Sequence, residues 1–324
     1  MRPAPSAPTA RPAASATNGS WPLRPAPLPP SLRELERTAV MGICNVTPDS
    51  FSDGGRYLAL SDALEHCAAM LAEGADLIDV GGESTRPGAP RVEEAEELRR
   101  VLPLVKELVE RGVPVSVDTT RSRVALAAVE AGAVVINDVS GGLADPDMMK
   151  VMSETGVVSV LMHWRGPSSN MDQLDSYTDV VAEVAAELHQ RVEVALETGV
   201  KPAALVLDPG LGFAKTGASN WPLLAHLDRL AQPPLPLLVG ASRKRFLQGL
   251  GGTPNKKNLG ISSKFQTQSD LGAAVETSPA DRDAATAAVT MVAALAGAWC
   301  VRVHAVGASA AACRVAQAIV AAQR

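Results

Sequence analysis

The residues able to do chemistry fall at the ends of short apolar runs. Ala39 to Cys44 is continuous, apolar and strand-like, and it stops at Asn45. Thr47-Pro48-Asp49-Ser50 and then Asp53-Gly54-Gly55 follow, turn chemistry that brings an amide, carboxylates and hydroxyls into one loop. The pattern recurs down the chain. Asp76–Val80 leads into Gly81-Gly82-Glu83-Ser84-Thr85-Arg86-Pro87-Gly88, Val113–Val117 delivers Asp118, and Val134–Ile136 delivers Asn137-Asp138. Val157–Met162 ends in His163, Leu205–Leu207 in Asp208-Pro209-Gly210-Leu211-Gly212-Phe213, and Leu237–Gly240 in Ser242-Arg243-Lys244. Trp299–Val303 carries Arg302 and His304 at its far end. Singly, each has a bland reading: an Asp after a strand is often a helix N-cap, Asn-Asp is often a turn, and a lone Lys or Arg is usually solvated. Their repetition at strand ends gives them a common meaning.

Asp118, Asn137, Asp208 and Lys244 mix donors and acceptors. That set suits a flat polar heterocycle, for which an unmatched buried hydrogen bond is costly. Asn45, Arg302 and His304 form a second, cationic and amide set. It suits a phosphate or diphosphate, with a hard cation taking oxygen ligands from Asn45 and the phosphates. No nucleophile–base pair and no zinc triad stands out. Of the five histidines, His66, His163, His189 and His226 have no partner by spacing. His66, His189 and His226 read as helix residues, whereas His163 is left without a role.

These side chains need elements to hold them. Helical periodicity follows each strand: Ser61–Glu73, Val92–Arg111, Arg121–Ala131, about 145–154, Leu174–Glu197, Ser219–Leu230, Ala284–Ala296 and Ala308–Ala322. The strands are short, continuous and rich in Val, Leu and Ile, as parallel strands buried on both faces are. Eight strand-then-helix units in roughly 285 residues predict a TIM (β/α)8 barrel, whose active site gathers at the C-terminal ends of its strands. An open doubly wound sheet is the alternative, weakened by the lack of a GxGxxG after the first strand.

Composition narrows the partners. A formal net charge of -5 argues against nucleic acid. Aromatics make up 3%, so the core is built from small aliphatics. Cys44, Cys67, Cys300 and Cys313 lack metal-ligand spacing and read as reduced core residues of a cytoplasmic protein. No apolar run is long enough for a membrane span. Residues 1–33 are rich in Pro and Ala, carry Arg but no acid, and are expected to form a disordered extension rather than a transit peptide. Residues 34–324 form the barrel. A polar stretch at about 251–279 reads as a disordered insertion, a lid being the other possibility.

At this point the motifs become specific. Asn45 to Gly55 with Gly81 to Gly88 resembles the paired signatures of the dihydropteroate synthase family. Asp118-Thr119, Ile136 to Gly142, Asp208 to Phe213, Ser242-Arg243-Lys244 and Arg302-Val303-His304 continue the resemblance in order. It implies a folate-pathway transferase that joins 4-aminobenzoate to 6-hydroxymethyl-7,8-dihydropterin diphosphate. It also implies roles. Asp118, Asn137, Asp208 and Lys244 hold the pterin, and Asn45 binds Mg²⁺. Thr85, Arg302 and His304 lie near the diphosphate, while Phe213 and Ser242 contact the aminobenzoate. Asp49, Arg86 and Lys244 serve the reacting centre, with Phe51 beside them as the first two loops close. A homodimer is implied as well. Three features depart from the family pattern: the extension, the 251–279 stretch, and Ala305 where the family often has an Asp behind the histidine. The rival readings are a pterin-dependent methyltransferase module, which has no need of Arg302, His304 and the Asn45 loop, and a paralogue that binds pterin without turnover.

Overall fold

The computed structural model describes residues 21–46, 55–83, 91–167, 171–230, 234–250 and 278–324. Eight strands form one parallel sheet: β1 (Ala39–Asn45), β2 (Leu77–Gly81), β3 (Val115–Asp118), β4 (Val135–Asp138), β5 (Val158–Met162), β6 (Leu205–Asp208), β7 (Leu238–Val239) and β8 (Cys300–Val303). Their order, β6-β5-β4-β3-β2-β1-β8-β7, closes through a parallel bridge between Leu207 and Leu237. The barrel expected from the eight units is therefore present.

The helices outside it are α2 (Gly55–Glu73), α3 (Glu94–Glu110), α4 (Ser122–Glu130), α5 (Met148–Thr155), α6 (Val180–Glu197), α7 (Gly217–Ala225), α8 (Leu227–Leu230), α9 (Asp283–Leu295) and α10 (Val306–Ala322), after a short α1 (Pro30–Arg33). Three expected helices differ. The Ser61–Glu73 helix starts six residues earlier, at Gly55. The Leu174–Glu197 helix starts only at Val180, because the Asp179 carboxylate accepts from the Val181 and Ala182 amides and caps it there. The Ser219–Leu230 helix is broken at His226 into α7 and α8.

Strand residues alternate between two environments, as the period of two requires. Outward residues such as Val40, Ile78, Val117, Ile136, Leu161 and Val301 pack against the helices. Inward residues Met41, Leu77, Val135, Val160, Val206, Leu238 and Cys300 fill the lower lumen with Trp299. This lower core corrects the boundary at residue 33. Leu28 and Leu32 are 5% and 1% exposed and belong to the lumen cluster, so residues 21–33 plug the barrel floor. The Ala26 amide bonds the Ala203 carbonyl at 2.7 Å. Beside the plug, Arg37 grips Asp76 through two bonds of 2.6 and 2.8 Å, and Thr38 donates to the Ala298 carbonyl. Apolar area, not local propensity, holds this stretch, which is why its Pro-rich composition hid it. Residues 1–20 and 251–277 lie outside the described residues.

Candidate active site

Above the apolar floor, the same inward positions turn polar. Asp79, Asp118, Asn137 and Asp208 are all at most 5% exposed, and they face Arg302 across the lumen. Arg302 Nε donates to Asp79 Oδ2 and its Nη2 to Asp118 Oδ2, both at 2.6 Å. Asn137 Nδ2 donates to the same Asp79 oxygen at 3.2 Å. Two acids on adjacent strands thus share one guanidinium. Burial alone would lower the basicity of Arg302, but Asp79 and Asp118 hold it above its ordinary value. Burial pushes the Asp118 carboxyl up to about 7, against the pull of Arg302 and with a further push from Asp79. Asp79 is the residue that reading only strand ends misses. It sits two residues before the end of β2, inward like Leu77, and an acid in a strand buried on both faces was the available signal.

Asp208 ends β6, and its Oδ1 accepts from the Gly210 amide at 2.7 Å. Burial raises its pKa, while Lys244 opposes that shift. The Lys244 amine bonds the Leu211 carbonyl and lies 4.5 Å from the Phe213 ring centroid. Burial lowers its pKa to about 8 despite Asp208. Burial thus disfavours the charged form of both partners, and each opposes the shift of the other. Lys244 is delivered by a strained turn. Arg243 adopts φ 59°, the left-handed region that disfavours a side chain. The turn is held there by paired bonds from Arg243 to Asp283 of α9, each 2.8 Å, and by Arg282 donating to the Arg243 carbonyl at 2.7 Å. With the turn fixed, Ser242 and Lys244 face the site from either side of Arg243.

His304 lines the same cavity as Arg302. Its Nδ1 lies 3.0 Å from Ser242 Oγ, which also accepts the His304 amide at 3.1 Å. Ser242 thus supplies a partner for the imidazole, where Ala305 offers none and caps α10 without a side-chain bond. Ser242 is 7% exposed, and its hydroxyl is engaged by His304. Asn45 ends β1 beside β2 and β3; a methyl group on Gly81 would stand 3.2 Å from its amide oxygen and 3.6 Å from Asp118 Oδ2.

These groups line one cavity of about 630 Å³ that includes Asn45, Asn137, Asp208, Phe213, Ser242, Lys244, Arg302 and His304. Asp118 borders it through Arg302. Asp49, Phe51, Thr85 and Arg86 lie outside the described residues. The root of the second loop is described: Glu83 accepts from Arg121 at 2.8 Å, and Arg121 also meets the buried Glu97. Asp138, by contrast, points away from the cavity and organises its own turn. It accepts from the Ser140 amide and hydroxyl at 2.8 and 2.7 Å and from the Gly142 amide at 2.6 Å. His163, unassigned from sequence, meets Lys215 and Glu187. Among the described residues, no three His, Cys, Asp or Glu side chains gather as a metal cluster, and no helix is long and apolar enough to cross a membrane.

A parallel eight-stranded barrel with a charge-balanced polar pocket at the C-terminal mouth of its strands defines a barrel enzyme for a small polar ligand. The family described as "Pterin binding enzyme" matches residues 41–304. The dihydropteroate synthase of Mycobacterium leprae is 51% identical over 277 residues, covering 85% of this chain and 91% of that protein. A Xanthomonas albilineans dihydropteroate synthase solved with 4-aminobenzoic acid superposes with a TM-score of 0.75 at 42% identity, covering 88% of this chain and 94% of that one. The same organism's enzyme in complex with 7,8-dihydropteroate gives 0.72 at 40% identity, again covering 88% and 94%. The chain belongs to the pterin-binding enzyme family, among its dihydropteroate synthases, and is a transferase.

Proposed function

We propose that the chain condenses 4-aminobenzoate with 6-hydroxymethyl-7,8-dihydropterin diphosphate to give 7,8-dihydropteroate and diphosphate. The observation that carries this reading is the cavity lined by Asn137, Asp208, Lys244 and Arg302, with Asp118 paired to that arginine. In this reading Asp208 and Asp118 accept from the ring and amino N–H groups of the pterin, and Asn137 and Lys244 donate to its acceptors. The C–O bond between the pterin methylene and diphosphate breaks. The arylamine nitrogen supplies the pair for the new C–N bond and then loses a proton to water. An arylamine is nucleophilic at neutral pH, which accounts for the lack of a nucleophile–base pair in the sequence. Buried carboxylates near the methylene favour positive charge developing there. His304 at the rim is offered to the leaving diphosphate. Arg302 already bridges Asp79 and Asp118, so its chief duty here is to keep those acids ordered for the pterin. Phe213 gives the aminobenzoate ring an apolar face, while Asp49, Thr85 and Arg86 complete the site from the two loops.

Asn45 offers one uncharged oxygen at the mouth, which fits a small hard cation that keeps most of its ligands as water and phosphate oxygens. We propose Mg²⁺ there, where it would neutralise leaving-group charge. We also propose a homodimer. Val292, Leu295, Val315 and Ile319 stand 48%, 42%, 52% and 39% exposed on α9 and α10, an apolar face that a second copy would cover. The four cysteines are free and buried, in keeping with a cytoplasmic protein.

The deciding experiment is turnover with both substrates and Mg²⁺, following diphosphate release and dihydropteroate formation. Both products in equal amounts are expected. Tight pterin binding with no diphosphate release would instead identify a non-catalytic binder.

A further inference from the structure

Lys215 is a buried cation with an unusual set of partners. Only 4% of it is exposed, yet it borders the cavity. Its Nζ lies 3.1 Å from the Gly210 carbonyl, 3.0 Å from the Phe213 carbonyl and 2.8 Å from His163 Nδ1. An ammonium has three donors, and here it has three acceptors. That arrangement fixes the histidine tautomer. Nδ1 accepts from the lysine, so Nε2 carries the hydrogen and donates to Glu187 Oε2 at 2.9 Å. Glu187 is anchored in turn by Arg165, which also pairs with Glu183. Burial lowers both basic groups, Lys215 to about 7 and His163 to about 4, so the proton of the pair belongs on the lysine.

A charge buried without a carboxylate in direct contact is costly, and an apolar side chain would fill the same space more cheaply. What the ammonium does instead is span the loop after β6. Gly210 begins that loop at φ 64°, where a Cβ would collide with the His163 carbonyl, so the backbone already rests on the residue that follows β5. Asp208 is tied to the Gly210 amide, and Phe213 lies two residues before the lysine. We propose that Lys215 is a positioning residue for the condensation. Its ammonium clasps the Gly210 and Phe213 carbonyls and so sets the spacing between the Asp208 carboxylate and the Phe213 ring, while His163 and Glu187 fix where the ammonium stands. The proposal rests on the reading that Asp208 serves the pterin and Phe213 the aminobenzoate. One side chain then aligns the two substrates with each other, where a small misplacement is costly. The charged groups around the clasp are Asp208, Lys244, Arg165 and Glu187.

The loop does not depend on the clasp for its existence. Asn220 accepts from the Gly212 amide and donates to the Lys215 and Thr216 carbonyls, and Tyr177 donates to the Ala214 carbonyl. A Lys215→Met chain is therefore expected to fold. The test compares Lys215→Met, Glu187→Gln and the double variant by melting, by kcat and KM for each substrate, and by calorimetry with 7,8-dihydropteroate. Lys215→Met is expected to lose about tenfold or more in kcat/KM, with KM raised for both substrates. Glu187→Gln, which does not border the cavity, is expected to lose about threefold in the same pattern. The double variant is expected to lose no more than Lys215→Met alone, because both act through one ammonium. A folded Lys215→Met chain within about twofold of wild type overturns the proposal, as do losses that multiply in the double variant. Should Lys215→Met fail to fold, Glu187→Gln decides: about threefold loss at an unchanged melting temperature supports the clasp, and no loss overturns it. A wild-type chain that binds dihydropteroate but never turns over would sink the reaction instead, and the clasp would then be read from dihydropteroate affinity in the same three variants.

Discussion

The two ends of the barrel lumen share strands and register but obey different rules. At the floor, Leu28 and Leu32 join Met41, Leu77, Val206 and Trp299 in a layer without charge. A few ångströms along the same strands, Asp79, Asp118, Asn137, Asp208 and Arg302 occupy the equivalent inward positions. The floor gains from every apolar atom removed from water. The mouth buries charges whose desolvation is only partly offset by one another and by backbone bonds, as the upward shift of Asp118 and the downward shift of Lys244 record. One end holds the fold, and the other spends stability on a prepared pocket. The N-terminal stretch makes this division possible by sealing the end that does no chemistry.

Four experiments can break or sharpen this contrast. The largest effect is expected at the floor. Leu32→Ala should lose about 2–5 kcal/mol of stability, read from denaturant melts, with kcat/KM little changed below its transition. A fall in turnover in the still-folded variant would erase the distinction between the ends. At the mouth, Asp208→Ala should weaken pterin binding by about 1–3 kcal/mol in calorimetry while the melting temperature holds or rises. Unchanged pterin affinity in a folded variant would remove Asp208 from the pterin site.

A third effect is a slope, read per pH unit. Asp118 is raised from 3.8 to about 7 in the folded chain, so the folded state holds its proton more tightly than the unfolded one. Its contribution is fully present below 3.8 and is lost as pH climbs through about 7. Asp118→Asn removes that loss. Its stability relative to wild type should therefore improve by up to about 1.4 kcal/mol per pH unit across that window. Melts showing a flat difference would mean that Arg302 keeps Asp118 ionised throughout. The smallest effect concerns the turn between the ends of β7 and α9. Asp283→Ala releases Arg243 from its paired bonds, at a cost of about 1 kcal/mol, because that pair is partly exposed. A rise of a few fold in KM should accompany it as Lys244 loses its fixed approach. An unchanged KM would confine the pair to stability.

Much of this molecule was legible without coordinates. Period, turn residues and strand composition follow from backbone sterics and from which faces water can reach. They gave eight parallel strands and the polar ring at their ends, and the ordered motifs gave the family. They could not give partners. Asp79 meets Arg302 across 223 residues, and His163 meets Lys215 across 52, separations at which no local pattern survives. Local rules also misjudged residues 21–33, since a Pro-rich segment has little propensity of its own and is ordered only by the lumen it fills. Sequence alone could therefore name several of the side chains that reach the mouth, but not Asp79 or Lys215. Which of them share a charge, why Ser242 rather than residue 305 steadies His304, and what stands behind Asp208 were decided by the closing of the barrel. Closure brings strands remote in sequence within hydrogen-bonding distance in a space too dry to leave any charge alone.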